Sequence, residues 1–155
     1  MLLSELLRAD LIKVGLDASD KREAISELVD LLVQRHEIAL SRRSEVLEAI
    51  AAHEGTNVSG NEGGIAVPHA VTDSVEDIIV ALGTSARGID FHAADGTHSK
   101  LIILIIAPRR DFAGEVRALL GIQHLFDHGT LKDKILAAPT AESIFEAIQD
   151  AEAHL

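Results

Sequence analysis

The chain has 155 residues, with 14 Lys and Arg against 25 Asp and Glu, a formal net charge of −11. Protonating all eight histidines would still leave it negative, which argues against sequence-independent nucleic-acid binding and against anionic membrane surfaces. There are no cysteines and only four aromatic residues, all Phe, so disulfides, thiol catalysis, Cys-zinc sites and aromatic base-stacking platforms are excluded.

The length suits one domain over residues 1–155, and 47% apolar residues are enough for a core without staples. Glu5, Arg8 and Asp10 interrupt any signal-peptide core, and the apolar run Leu101–Pro108 is too short to span a bilayer. A cytoplasmic protein with no membrane insertion is expected.

In chain order, Leu11–Leu16 reads as a short strand. Ser19 and Asp20 cap a helix with Ile25, Leu28, Val29, Leu31 and Leu32 on its apolar face. Ser41 is the candidate cap of a second helix, with Val46, Leu47 and Ile50. His53 to Gly64 holds Gly55, Gly60, Gly63 and Gly64 and reads as a loop. Ile78–Gly83 and Leu101–Ala107 read as strands buried on both faces. Gly88–Phe91 reads as a turn leading into a short strand, and Asp95-Gly96 as a turn. Gly114 to Phe126 gives a helix with Val116, Leu119, Leu120, Ile122 and Leu125. Leu131–Leu136 is a short helix. Pro139 ends it, and Thr140 caps a last helix with Ile144, Phe145 and Ile148. Helices flanking a group of strands predict an α/β fold.

The strongest local signal is the glycine-rich loop running into Pro68-His69. Pro68 stiffens the backbone and biases Val67 to an extended conformation. Loop N–H groups and the hydroxyls of Thr56 and Ser59 can cradle an anion. A neutral imidazole nitrogen is a competent nucleophile near pH 7. These parts suit a histidine that accepts and hands on a phosphoryl group; the competing reading is a structural histidine on a turn. Neither a Walker A nor a Rossmann glycine pattern is present, and no cofactor or metal is expected. His124 and His128 share helical spacing but lack the Glu of a zinc-protease motif. His36, His92, His98 and His154 read as surface residues.

The stretch Gly64-Ile65-Ala66-Val67-Pro68-His69-Ala70 resembles the signature of EIIA domains of the bacterial phosphoenolpyruvate-dependent sugar phosphotransferase system, in the fructose, mannitol and nitrogen-regulatory branch. The resemblance continues through Val80–Ser85, Gly88–Phe91, Asp95-Gly96 and Leu101–Pro108 and covers nearly the whole chain. It implies an α/β/α sandwich with a central mixed sheet. It also implies that His69 is the phosphoacceptor, loaded by an HPr-like donor, and that the phosphoryl group passes to an EIIB domain or that phosphorylation sets the binding of a regulated partner. As this chain carries no EIIB or membrane domain, a nitrogen-type regulatory role is expected ahead of sugar transport. The oligomeric state is left open.

Three supporting positions depart from the family pattern. The family's Arg sixteen residues before the acceptor is His53, its second His maps to Glu115, and a loop Thr maps to Ser59. A carboxylate ~5 Å from phosphohistidine would cost about 3 kcal/mol at an effective dielectric of ~20. Loss of a permanent Arg charge acts in the same direction. Against that, Glu115 can accept a hydrogen bond from one ring nitrogen of His69 and sharpen the other, and His53 can take up a proton. The alternatives are therefore a working phosphocarrier and a regulatory binding module impaired in transfer. A metal-dependent enzyme using His53, His69 and Glu115 is a third.

Overall fold

The computed structural model describes all residues except 1, 57–59, 62 and 128. Its elements in chain order are α1 (Leu3–Leu6), β1 (Ile12–Lys13), α2 (Lys21–Gln34), α3 (Arg43–Thr56), β2 (Gly60–Asn61), β3 (Ile65–Ala66), β4 (His69–Thr72), β5 (Ile79–Ile89), β6 (Ser99–Pro108), α4 (Phe112–Phe126), α5 (Leu131–Ala137) and α6 (Ala141–Ala153).

The sheet is mixed. β1 runs parallel to β5, β5 antiparallel to β6, and β3 and β4 both parallel to β6. β2 closes the far edge antiparallel to β3. β3 and β4 are one strand position with a single interruption: Ile65 faces Leu101, Ala66 faces Ile102 and His69 faces Ile105, a constant register. The break falls at Val67 and Pro68. Proline has no N–H to give to the ladder, although its carbonyl still accepts from Ile105 N at 3.0 Å.

β6 is the centre of the core. Leu101 to Ala107 are wholly buried, as are Val80, Ala81 and Leu82 opposite on β5. Continuous burial along a strand requires cover on both faces. α2 packs on β5 and α3 on β4, with α2 and α3 against each other. α4 and α5 pack on β6, α6 packs on β1, and α5 packs on α6. The result is the α/β/α sandwich expected.

Two helix starts are as read from the sequence. The Asp20 carboxylate accepts from Glu23 N at 2.8 Å, and Thr140 forms a capping box with Ser143. Several expectations are corrected. Only Ile12 and Lys13 of Leu11–Leu16 pair as strand, because a 3-10 turn occupies Ala9–Leu11. Ser41 lies inside a 3-10 turn over Leu40–Arg42, so α3 begins at Arg43. Helix α3 continues through Thr56, which makes His53 helical rather than part of a loop. Nothing between Arg43 and Glu54 breaks a helix, and the glycine of that segment comes only at its last turn. Gly88 and Ile89 finish β5 beyond a register shift after Thr84, and no new strand begins there. Val116 and Leu120 face outward, whereas Ile122 and Leu125 are buried.

Candidate functional site

His69 opens β4, directly after the proline that interrupts the edge. Its ring is only partly buried, between the buried backbone of Val67-Pro68 and helix α3. The Nδ1 atom lies 2.7 Å from the Val67 carbonyl oxygen. A carbonyl can only accept, so Nδ1 carries the proton and donates it. In neutral His69 that leaves the nucleophilic lone pair on Nε2.

The partner of that lone pair is His53, from the last turn of α3. The two Nε2 atoms are 3.1 Å apart. The ring centroids are 4.5 Å apart and the planes are inclined by 57°. With Nδ1–H committed to Val67, His53 must donate its Nε2–H to His69 Nε2. The sixteen-residue separation thus becomes direct contact, because α3 packs across β4. His53 also stands at the carbonyl end of its helix, where a cation is favoured by the helix dipole. The neighbouring Glu54 is engaged elsewhere, in an ion pair of 2.7 Å with Lys21 of α2.

The glycine hinge before the site is held from three sides. Lys132 Nζ of α5 donates to the Gly63 carbonyl at 2.5 Å. The N–H groups of Lys100 and Leu101 donate to the Gly64 carbonyl at 2.9 and 3.2 Å. The Asp95 carboxylate accepts from Gly63 N at 3.4 Å. Gly63 and Gly64 both have φ near +84° (84° and 83°), a conformation costly for any residue with a Cβ. Lys132 and Asp95 were not singled out from the sequence. Their roles depend on a turn and a helix distant in the chain.

Glu115 lies in the first turn of α4 and is only 4% exposed. Its Oε2 has no hydrogen-bond partner among the described residues. It does not bond to either ring nitrogen of His69; the acceptor that fixes the His69 tautomer is the Val67 carbonyl. The expectation that Glu115 plays that part is corrected accordingly. Among the described residues, no three His, Asp or Glu side chains are grouped to hold a metal, so His53, His69 and Glu115 do not form a zinc triad. Ser59 and His128 lie outside the described residues. His36, His92, His98, His124 and His154 are all exposed. A groove of about 990 Å³ between α2 and α3, lined by Lys21, Arg43, Glu54, Asp90 and His92 among others, does not include the His53–His69 pair. No helix among the described residues is long and apolar enough to cross a membrane.

The chain is similar to the fructose-specific EIIA component of the phosphotransferase system from Haloferax volcanii, 29% identical over 148 residues, covering 96% of this chain and 95% of that protein. It is 23% identical over 150 residues to a nitrogen regulatory protein from Pseudomonas aeruginosa, covering 97% and 96%. Its fold is like that of the IIA protein in the complex of enzyme IIA mannitol with phosphorylated enzyme IIB mannitol from Escherichia coli. The TM-score there is 0.78 at 21% identity, over 93% of this chain and 97% of that one. Residues 5–151 match the family model described as phosphoenolpyruvate-dependent sugar phosphotransferase system, EIIA 2. With its proline-histidine edge and α/β/α frame, the chain belongs to this type 2 EIIA family.

Proposed function

We propose that this chain is an EIIA-type phosphocarrier of the cytoplasm that accepts a phosphoryl group on Nε2 of His69 from an HPr-like donor. The observation that carries the reading is the Nδ1–H bond to the Val67 carbonyl, which leaves Nε2 as the nucleophile. Pro68 stiffens the backbone that makes this bond, so the tautomer is set before the donor arrives. In the transfer, the bond from phosphorus to the donor's ring nitrogen breaks as the bond from phosphorus to His69 Nε2 forms. The donor imidazole leaves with the electron pair. The negative surface of the chain complements a basic donor and speeds encounter.

Downstream, the phosphoryl group goes to an EIIB domain, or the phosphorylated state governs a regulated partner. The first is supported by the similarity to a IIA protein solved with phosphorylated IIB, the second by the similarity to a nitrogen regulatory protein. His53, Glu115 and Ser59 are proposed as supporting positions. A second reading, a binding module slow in transfer, is favoured by one observation: the His53 N–H occupies the very lone pair that must attack.

The test is intact mass after incubation with phosphoenolpyruvate, enzyme I and HPr, recorded at neutral to alkaline pH. One added phosphoryl group, absent in His69→Ala, is expected. No addition, with a control EIIA labelled in the same mixture, overturns the carrier reading in favour of the binding module.

A further inference from the structure

We propose that phosphorylation of His69 draws a proton onto His53, so that the His53 imidazolium is the cation that holds the phosphoryl group. The phosphorylated state is then favoured as pH falls. This deepens the carrier reading and rests on it.

The Nε2 atoms of His53 and His69 are 3.1 Å apart. Before transfer, His53 needs only to donate, and a neutral Nε2–H does that. Attack requires this hydrogen bond to open, since one lone pair cannot serve both proton and phosphorus. After transfer, His69 Nε2 is bonded to phosphorus and accepts nothing. His53 now faces phosphoryl oxygens carrying close to two negative charges. An imidazolium donates to them as a charge-assisted bond, roughly twice as strong as a neutral one. The proton comes from solvent. His69 keeps its Nδ1–H on the Val67 carbonyl throughout, so the acceptor ring becomes cationic as the donor ring becomes neutral and charge balances. The last-turn position of His53 on α3 adds a standing preference for the charged form.

Among the described residues, the other charged groups on the elements packed on α3 are engaged or, like Arg22, line the groove that excludes the His53–His69 pair. From β4 the facing titratable group is His69 itself. From α2, Lys21 is held by Glu54 at 2.7 Å, and Asp30 is held by Arg43 at 2.6 Å. From the turn before α3, Arg42 is held by Glu45 at 2.8 Å, two helical turns from His53. None of these is placed to supply a cation to the phosphoryl group, and among the described residues the side chain that meets His69 Nε2 is His53. An imidazole titrates near neutrality, where an Arg would stay charged.

The experiment compares wild type, His53→Arg and His53→Gln, loaded by the same phosphohistidine donor at about pH 6.5 and about pH 8. The ratio of phosphorylated to unphosphorylated protein is read by intact mass. The pH dependence of the donor is common to all three and cancels between them. One coupled proton gives up to about tenfold per pH unit. We expect the wild-type ratio to rise about tenfold at the lower pH relative to His53→Arg, and His53→Gln to stay low at both. Ring NMR of phosphorylated wild type at about pH 7.5 is expected to show His53 as imidazolium. Equal pH profiles in all three proteins, or a neutral His53 ring in the phosphorylated form, overturn the inference while leaving the carrier reading intact. No phosphoryl group on wild type at either pH, with a control EIIA labelled, overturns both.

Discussion

His53 and Glu115 are the two residues that the sequence resemblance marks as departures from the family pattern, and the fold treats them differently. His53, on α3, is drawn over β4 into a hydrogen bond with Nε2 of His69, the nitrogen proposed to accept the phosphoryl group. Glu115, on α4, is sunk between helix and sheet with one carboxylate oxygen unpartnered among the described residues. The first departure touches the proposed acceptor, and its polarity is satisfied. The second is a desolvated group whose cost the fold bears elsewhere. Glu27 of α2 shows how a third carboxylate avoids that cost. It lies 2.7 Å from Lys13 Nζ and accepts from the N–H groups of Asp17 and Ala18 at 3.0 and 2.9 Å. Burial alone would raise its pKa, but the Lys13 ion pair and the two backbone donors outweigh this and hold it below the usual carboxylate range.

The contrast is sharpest at His69. His69→Ala is expected to abolish phosphoryl labelling entirely while shifting the urea midpoint little, because the ring is only partly buried. Residual labelling at wild-type level would place the acceptor elsewhere.

Glu115→Leu is expected to stabilise the fold at neutral pH by about 1–3 kcal/mol, since a buried carboxylate with one oxygen unpartnered among the described residues is replaced by an apolar side chain of similar size. Urea unfolding reads this directly. A loss of stability would break the comparison by revealing a partner for the carboxylate.

Glu27→Gln is expected to cost about 2 kcal/mol at neutral pH, because charge-assisted bonds to Lys13 and two backbone N–H groups are weakened. The sign with pH follows from the lowered folded-state value. The stabilisation is fully present above the unfolded carboxylate range, about pH 4.3, and is lost as pH falls through the lower folded value. Wild type and variant should therefore converge in acid. A gap that persists unchanged at low pH would show that packing, not charge, holds Glu27.

The smallest effect is expected at the outer face of α4. Phe112, Val116 and Leu120 are exposed, at 62%, 37% and 59%. Val116→Ser and Leu120→Ser should each change stability by no more than about 0.5 kcal/mol. A larger loss in thermal melts would mean that this face is covered in solution.

Much of the frame was legible from local signals. Runs of Ile, Val and Leu in Ile78–Gly83 and Leu101–Ala107 mark buried strands because such residues have nowhere else to go in water. Asp20 and Thr140 mark helix starts because their side chains reach backbone N–H groups three residues on. The helical period of α4 is also visible in Val116, Leu119, Leu120, Ile122 and Leu125, but Val116 and Leu120 face solvent. Apolar periodicity tells which residues share a stripe, and the width of the covering sheet decides how much of the stripe is buried. The end of α3 is not legible locally, because glycine-rich composition reads as loop, whereas packing against β4 carries the helix one turn further.

For the site, the sequence by itself determined the stiff Val67-Pro68-His69 unit, since the restriction before proline and the proline ring act within two residues. It marked His53 and Glu115 as departures but not what they do. Only the tertiary structure decided that Val67 rather than Glu115 sets the His69 tautomer and that His53 meets Nε2. Only it joined Lys132 and Asp95 to the glycine hinge. The physical reason is one of range. Backbone sterics are settled between neighbours, whereas the partner of a side chain depends on how α3, α5 and the Asp95 turn are brought to the sheet by burial of the common apolar core.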